Sequence, residues 1–136
     1  GELVAAMASF IPEDSIRFAL GVGTPEDIVR LHAMGWDMFD CVIPTREGRH
    51  GRLFLWKNET TALEDDFYET MNIKNEQFTH DFTPVDTTCD CTLCTKYTRA
   101  YLKHLLKVGE PLALRLASEH NLRFYMRLME RLRSET

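Results

Sequence analysis

The chain has 136 residues, 44% apolar and 27% charged, and its formal net charge is −5. That length allows one domain of the usual ~150 residues, and the composition is too apolar for disorder. No apolar run reaches the ~20 residues of a membrane span and no basic-then-apolar leader opens the chain, so transmembrane and secreted classes are not expected. A net-acidic total argues against a uniformly basic nucleic-acid binder.

Residues 1–16 carry a partly helical pattern (Leu3, Val4, Met7, Ala8) that breaks at Pro12. Residues 16–23 are a short apolar run closing in glycines, the pattern of a buried strand and its exit turn. Thr24, Pro25, Glu26 and Asp27 then open a helix, with Thr as N-cap, Pro at the first position and acids in the first turn. Ile28, Leu31 and Met34 face a core, and Gly35 stops the helix. Residues 36–43 are a second apolar run, interrupted by Asp37 and Asp40 and ended by Pro44. Strand, helix and strand in this span form a βαβ unit, which predicts parallel strands. Residues 58–88 read as acidic and turn-rich, with a short strand around 71–74. Tyr97, Ala100, Tyr101, Leu105 and Val108 recur at helical spacing and predict a helix over 95–108. A longer helix follows over 110–133, with Leu112, Leu116, Leu122, Tyr125, Met129 and Leu132 on its apolar stripe.

Charge is distributed unevenly. Residues 58–94 hold nine acids against Lys74 alone, whereas 95–133 hold nine Lys or Arg against three acids, and Arg46, Arg49, Arg52 and Lys57 face only Glu47. Two basic surfaces are therefore open to a polyanion, although mixed charge on a solvated helix face would give the same count. Cys89, Cys91 and Cys94 lie within six positions, with His120 beyond a spacer of 25 residues. Cysteines this close are poorly placed to pair with one another, and an odd cluster suits a metal in a reducing compartment such as the cytoplasm. Three thiolates and one imidazole make a closed tetrahedral Zn²⁺ site of the structural kind, with Asn121 and Glu119 as candidate supports; the alternative is buried free thiols with a capping histidine. His32, His50, His80 and His104 read as surface or core histidines.

Asp40 ends an apolar strand, and the C-terminal end of a parallel strand is where α/β folds place chemistry. A carboxylate there serves as nucleophile or base, or simply holds a loop by hydrogen bonds. Spacing alone does not rank it above Asp37, which strand alternation puts on the opposite face.

Taken together, residues 21–27 (GVGTPED), residues 37–46 (DMFDCVIPTR), the Cys89, Cys91, Cys94, His120 cluster, and residues 97–102 and 120–125 resemble the C-terminal part of the tRNA-guanine transglycosylase family, closer to its bacterial branch. The resemblance runs from about Phe18 to Arg133 with an interruption over 57–69. It implies an α/β fold, the C-terminal portion of a (β/α)8 barrel with a zinc-binding subdomain and long C-terminal helices. Residues 1–56 would be the last βαβ portion of the barrel, and 57–136 an acidic insertion, the zinc subdomain and the helices. It further implies a cytoplasmic glycosyltransferase of queuosine biosynthesis that exchanges guanine at the tRNA wobble position for a 7-deazaguanine base. Asp40 matches the nucleophile that forms a covalent ribosyl intermediate, and Leu20 and Gly21 match the base-pocket wall. Gly21, Val22, Gly23, Thr24, Pro25, Glu26 and Asp27, with Thr45, Arg46, Glu47, Gly48 and Arg49, match loops that contact the tRNA anticodon loop. Cys89, Cys91, Cys94 and His120 match the zinc ligands.

Two departures stand out: an acidic insertion between Trp56 and Tyr68, expected to be a surface loop, and a chain far shorter than the ~250 residues of a whole barrel. The proton-shuttle residue and most of the base-recognition residues are not among these positions. Turnover is thus expected only with the rest of the barrel, from a partner chain, with homodimerisation through the zinc subdomain as the other pairing. The competing reading is a non-catalytic, zinc-stabilised module for tRNA binding or subunit pairing.

Overall fold

The computed structural model describes residues 1–64 and 66–135; Asp65, one of the nine acids of residues 58–94, and Thr136 lie outside them. In chain order the elements are α1 (Glu2–Ser9), β1 (Phe18–Leu20), α2 (Pro25–Ala33), β2 (Met38–Asp40), α3 (Ile43–Arg49), β3 (Arg52–Trp56), β4 (Tyr68–Asn72), a 3₁₀ turn (Glu76–Phe78), α4 (Thr92–Lys96), α5 (Arg99–Lys107) and α6 (Pro111–Ser134).

β1 and β2 pair in parallel across α2, as the βαβ pattern predicts, with Leu20 opposite Asp40. Thr24 caps α2 by accepting from the Asp27 N–H at 3.3 Å, and Gly35 leaves the helix at φ +95°. The strands are shorter than the apolar runs that announced them, and they are not buried: Ala19 is covered, while Leu20 is 70% exposed. Trp36 left the strand pattern to join Ala8, Ala19 and Leu31 in a small core under α1, where its Nε1 donates to the Val4 carbonyl. Pro44 does not end a strand but sits in the first turn of α3, so residues 45–49 are helical rather than a loop.

β3 was not expected from the sequence. Leu53 and Leu55 point into one core with Leu93, Leu102 and Leu116, whereas Phe54 and Trp56 point into a second with Phe67, Phe124 and Leu128. With both faces covered, the run carries no polar alternation to betray a strand. β4 pairs antiparallel with β3, starting at Tyr68 rather than near residue 71. The other edge of β3 is closed by side chains instead of a third strand. Asn121 donates to the Arg52 carbonyl and accepts from the Phe54 N–H, His120 Nε2 meets the Phe54 carbonyl, and Asp86 accepts from the Trp56 N–H. Four successive ladder groups, from the Arg52 carbonyl to the Trp56 N–H, are thus satisfied along that edge.

The helix expected over 95–108 is two helices. Tyr97 and Thr98 are extended, and the Thr98 hydroxyl restarts the chain as α5 by accepting from the Tyr101 N–H at 3.1 Å. α6 matches its expected span, but its buried stripe is Ala113, Leu116, Ala117, His120, Asn121, Phe124, Tyr125, Leu128 and Leu132; Leu122 faces outward. Nor is the insertion only a surface loop, because Leu63 and Phe67 anchor it in the core among their acidic neighbours. Where α3 crosses α6 the helices touch: a Cβ on Gly48 would sit 3.0 Å from the Ala117 backbone.

Candidate functional site

Two features stand at the two sides of α6. The first is the sulfur cluster. Cys89 and Cys91 come from the turn before α4 and Cys94 from within it, and His120 reaches back from the middle of α6. All four ligand atoms lie within 4.8 Å of one another, with His120 Nδ1 at 3.3 Å from Cys94 Sγ and 3.5 Å from Cys91 Sγ. A tetrahedral zinc with its ordinary bond lengths places sulfur and nitrogen ligands about 3.6 Å apart, so the donor set fits the ion. Tautomer and direction agree: with Nε2–H donating to the Phe54 carbonyl at 2.8 Å, the Nδ1 lone pair is left for the metal.

Protonation tells the same story. Hydrogen bonds from Cys91 and then Cys94 hold the Cys89 thiol far below its usual range, while the same network, led by Cys89, pushes Cys94 far above it. Without a cation the cluster cannot ionise fully. Burial alone would lower the His120 pKa, but the sulfurs of Cys89 and Cys91 lift it to about 10, the response of a group recruited as counter-charge. A divalent ion removes that conflict, and these four residues form a metal-binding group of the Cys₃His type. Asn121 and Glu119 do not support it as expected. Asn121 instead binds the Pro44 and Arg52 carbonyls and the Phe54 N–H, and Glu119 pairs with Arg115. The knuckle is steadied from α6 by Arg123, which donates to both Asp90 oxygens at 2.6 and 3.2 Å.

The second feature is the strand-end surface. Asp40 is exposed at the end of β2, and its register partner Leu20 sets an exposed apolar side chain beside it. The Asp40 carbonyl accepts from the Gly21 N–H at 2.8 Å, where the chain turns at φ +73°. Next to it, Cys41 packs against Gly23 so closely that a Cβ there would fall 1.8 Å from Cys41 Sγ. The buried Tyr125 hydroxyl donates to the Gly23 carbonyl at 2.6 Å, pinning this loop to α6 five residues beyond His120. Burial raises the Tyr125 pKa, so the phenol stays a donor. No pattern in the sequence marked Tyr125 as more than a core residue.

The other candidate positions divide. Arg46 and Arg49 extend from the end of α3, with Glu47 at 3.8 Å from Arg46. Thr24 and Asp27 are engaged in the α2 cap and an Arg30 pair, and the Glu26 carboxylate accepts from the Tyr68 hydroxyl. Val22 is half-buried, Pro25 and Gly48 are buried, and Thr45 donates to the Val42 carbonyl. Asp37 is taken by the chain itself, accepting from the Arg17 N–H at 2.9 Å.

The family model described as Queuine tRNA-ribosyltransferase matches residues 1–135. The chain is similar to curated proteins named queuine tRNA-ribosyltransferase: 44% identical to that of Symbiobacterium thermophilum over 98% of the chain and 30% of the relative. It is 46% identical to that of Herpetosiphon aurantiacus over 90% of the chain and 29% of the relative. With that of Thermoanaerobacter pseudethanolicus the figures are 41%, 97% and 32%. The chain thus spans about a third of the length of these relatives.

Proposed function

The chain belongs to the queuine tRNA-ribosyltransferase family, and from that membership we propose that it forms the nucleophile-bearing, zinc-stabilised part of an enzyme that exchanges guanine at the tRNA wobble position for a 7-deazaguanine base. In the reaction proposed, an Asp40 carboxylate oxygen attacks C1′ of the ribose as the C1′–N9 bond of guanine breaks and its electron pair leaves with the base, which takes up a proton. The incoming base then attacks C1′ through its own ring nitrogen, loses its proton, and expels the Asp40 carboxylate. Proton transfers are left to residues outside these positions.

The observation that carries this reading is the pairing of Asp40 with Leu20 at the C-terminal ends of two parallel strands. A carboxylate beside an apolar wall, with Arg46 and Arg49 on the next helix, suits a sugar held between a stacked base and its phosphates. Zinc, when bound, supplies structure rather than chemistry: Cys89, Cys91, Cys94 and His120 occupy all four tetrahedral positions and leave none for a substrate. On this reading residues 1–56 belong to a (β/α)8 barrel and 57–136 to the zinc subdomain, with β3 joining the two. Phe10, Ile16, Leu20 and Val42 are exposed apolar side chains that the rest of a barrel would cover, whether from a longer chain or a partner chain.

The test is covalent trapping in the assembled enzyme. Asp40→Asn is expected to abolish the tRNA adduct while zinc content and tRNA retention stay as in the parent. An adduct formed undiminished by that variant contradicts the assignment; loss of tRNA retention along with it favours a binding module over a nucleophile.

A further inference from the structure

Cationic side chains are handled differently in different parts of this molecule. Along α6, Arg115, Arg123, Arg127 and Arg131 are paired with Glu119, Asp90, Glu59 and Glu135 at 2.8, 2.6, 3.4 and 2.9 Å. Arg123 thereby holds the knuckle, Arg127 and Arg131 hold the insertion, and Arg115 pairs within α6 itself. Arg49, Lys74 and Lys107, by contrast, have no ion-pair partner among the described residues.

These three are linked by the fold. The turn that ends α3 runs through Gly51, whose φ is +84°. The Lys74 stem lies across that glycine, with Cε 3.3 Å from where a Cβ would stand. Lys103, itself largely buried, donates to the Lys74 carbonyl at 3.0 Å and so ties α5 to this turn. Lys74 and Lys107 then line a depression of about 290 Å³ together with Glu76, Lys103 and Leu106. The strip from α3 to α5 carries Arg46, Arg49, Lys74, Lys103 and Lys107. The carboxylates near it are Glu47, which is shared with Arg46 and Arg52, Glu76 at 3.8 Å from Lys103, and Glu110, which caps the Leu112 N–H.

Of the acids of residues 58–94, Glu76 lies beside the strip, whereas Glu59 is held far from it. Lys107 precedes the first turn of α6, while Glu59 of the insertion pairs with Arg127, sixteen residues further along that helix. At ~1.5 Å per residue the separation is about 24 Å, three times the ~8 Å Debye length at physiological salt. A Lys-rich strip whose depression is lined by no aromatic side chain among the described residues suits a regular row of negative charges contacted without base reading.

We propose that Lys74 and Lys107 form a second RNA-binding surface, which continues the basic edge of α3 from Arg49 over Gly51 onto α5 and takes the phosphate backbone of the substrate RNA outside the loop that enters the Asp40 site. This rests on the tRNA reading given above and adds a contact region to it.

The experiment is a salt titration of binding between the zinc-loaded assembled enzyme and a tRNA transcript. For the parent, affinity falls steeply with salt. Lys74→Ala/Lys107→Ala is expected to bind roughly tenfold more weakly at ~0.1 M salt and to flatten the log–log salt slope by about 1.5 to 2, two phosphate contacts' worth. Lys74→Arg/Lys107→Arg restores both values, and Arg115→Ala, which removes a paired cation, changes neither. Parent-like affinity and slope in the alanine double variant overturn the strip while leaving the tRNA reading intact. No tRNA binding by the parent at low salt overturns that reading and the strip with it. Polyglutamate bound as tightly as tRNA at equal salt overturns the choice of RNA as partner.

Discussion

Around the zinc-binding side of α6, side chains meet the outward groups of β3 from the Arg52 carbonyl to the Trp56 N–H, and two apolar cores close over both strand faces. Around β1 and β2, three-residue strands leave Phe18, Leu20 and Met38 exposed, and only Ala19 of β1 is buried. The same chain therefore holds one region that is complete in itself and another whose surfaces ask for cover. The difference teaches where stability and chemistry sit. The metal, Asn121 and the aromatic core fix α6, and α6 holds the Asp40 surface through the packing of Ile28 and Phe39 on that core and the hydrogen bond from Tyr125 to Gly23.

If the zinc-bearing region is the stable one, metal removal has the largest effect. Chelation or Cys94→Ser is expected to lower the thermal midpoint by on the order of 20 °C, with loss of helical circular dichroism. The same coupling gives a sign with pH. Thiolates and a neutral imidazole bind the ion and protons compete for them, so zinc affinity measured against a competing chelator falls as pH falls. Asn121→Ala comes next. It leaves the Phe54 N–H and the Pro44 and Arg52 carbonyls unmet in a buried place, and should cost about 3 kcal/mol in chemical denaturation with zinc still bound.

The link between the regions is weaker. Tyr125→Phe removes one hydrogen bond, about 1 kcal/mol, and its sharper readout is local. Alkylation of Cys41 in the zinc-loaded variant should quicken severalfold, and an unchanged rate would break the idea that α6 holds the Asp40 loop. Smallest of all is the open surface: Leu20→Ser or Phe10→Ser should change the stability of this chain by less than ~0.5 kcal/mol. A loss of several kcal/mol there would mean that the surface is already covered.

The sequence made some of this plain. Closely spaced cysteines followed by a histidine announce a metal because few other structures need them, and Thr24, Pro25 and Gly35 bracket a helix by backbone chemistry that needs no tertiary context. β3 stayed hidden because both its faces are buried, and the break at Tyr97 and Thr98 because apolar spacing runs on across it. Leu63 and Phe67 were masked by the acids around them. The tasks of Asn121 and Tyr125 depend on partners 69 and 102 positions away, which no local pattern encodes. At the candidate site spacing alone suggested Asp40 and Asp37 alike, and the family resemblance singled out Asp40. The fold adds that Asp37 is engaged by the Arg17 N–H while Asp40 stays exposed.

The most direct test of the account is peptide mapping by mass spectrometry of the denaturation-resistant adduct between the assembled enzyme and tRNA. The account predicts a ribonucleotide mass on the peptide that contains Asp40, and its absence from that peptide after Asp40→Asn. A ribosyl ester found on Asp37 or on any other carboxylate contradicts it.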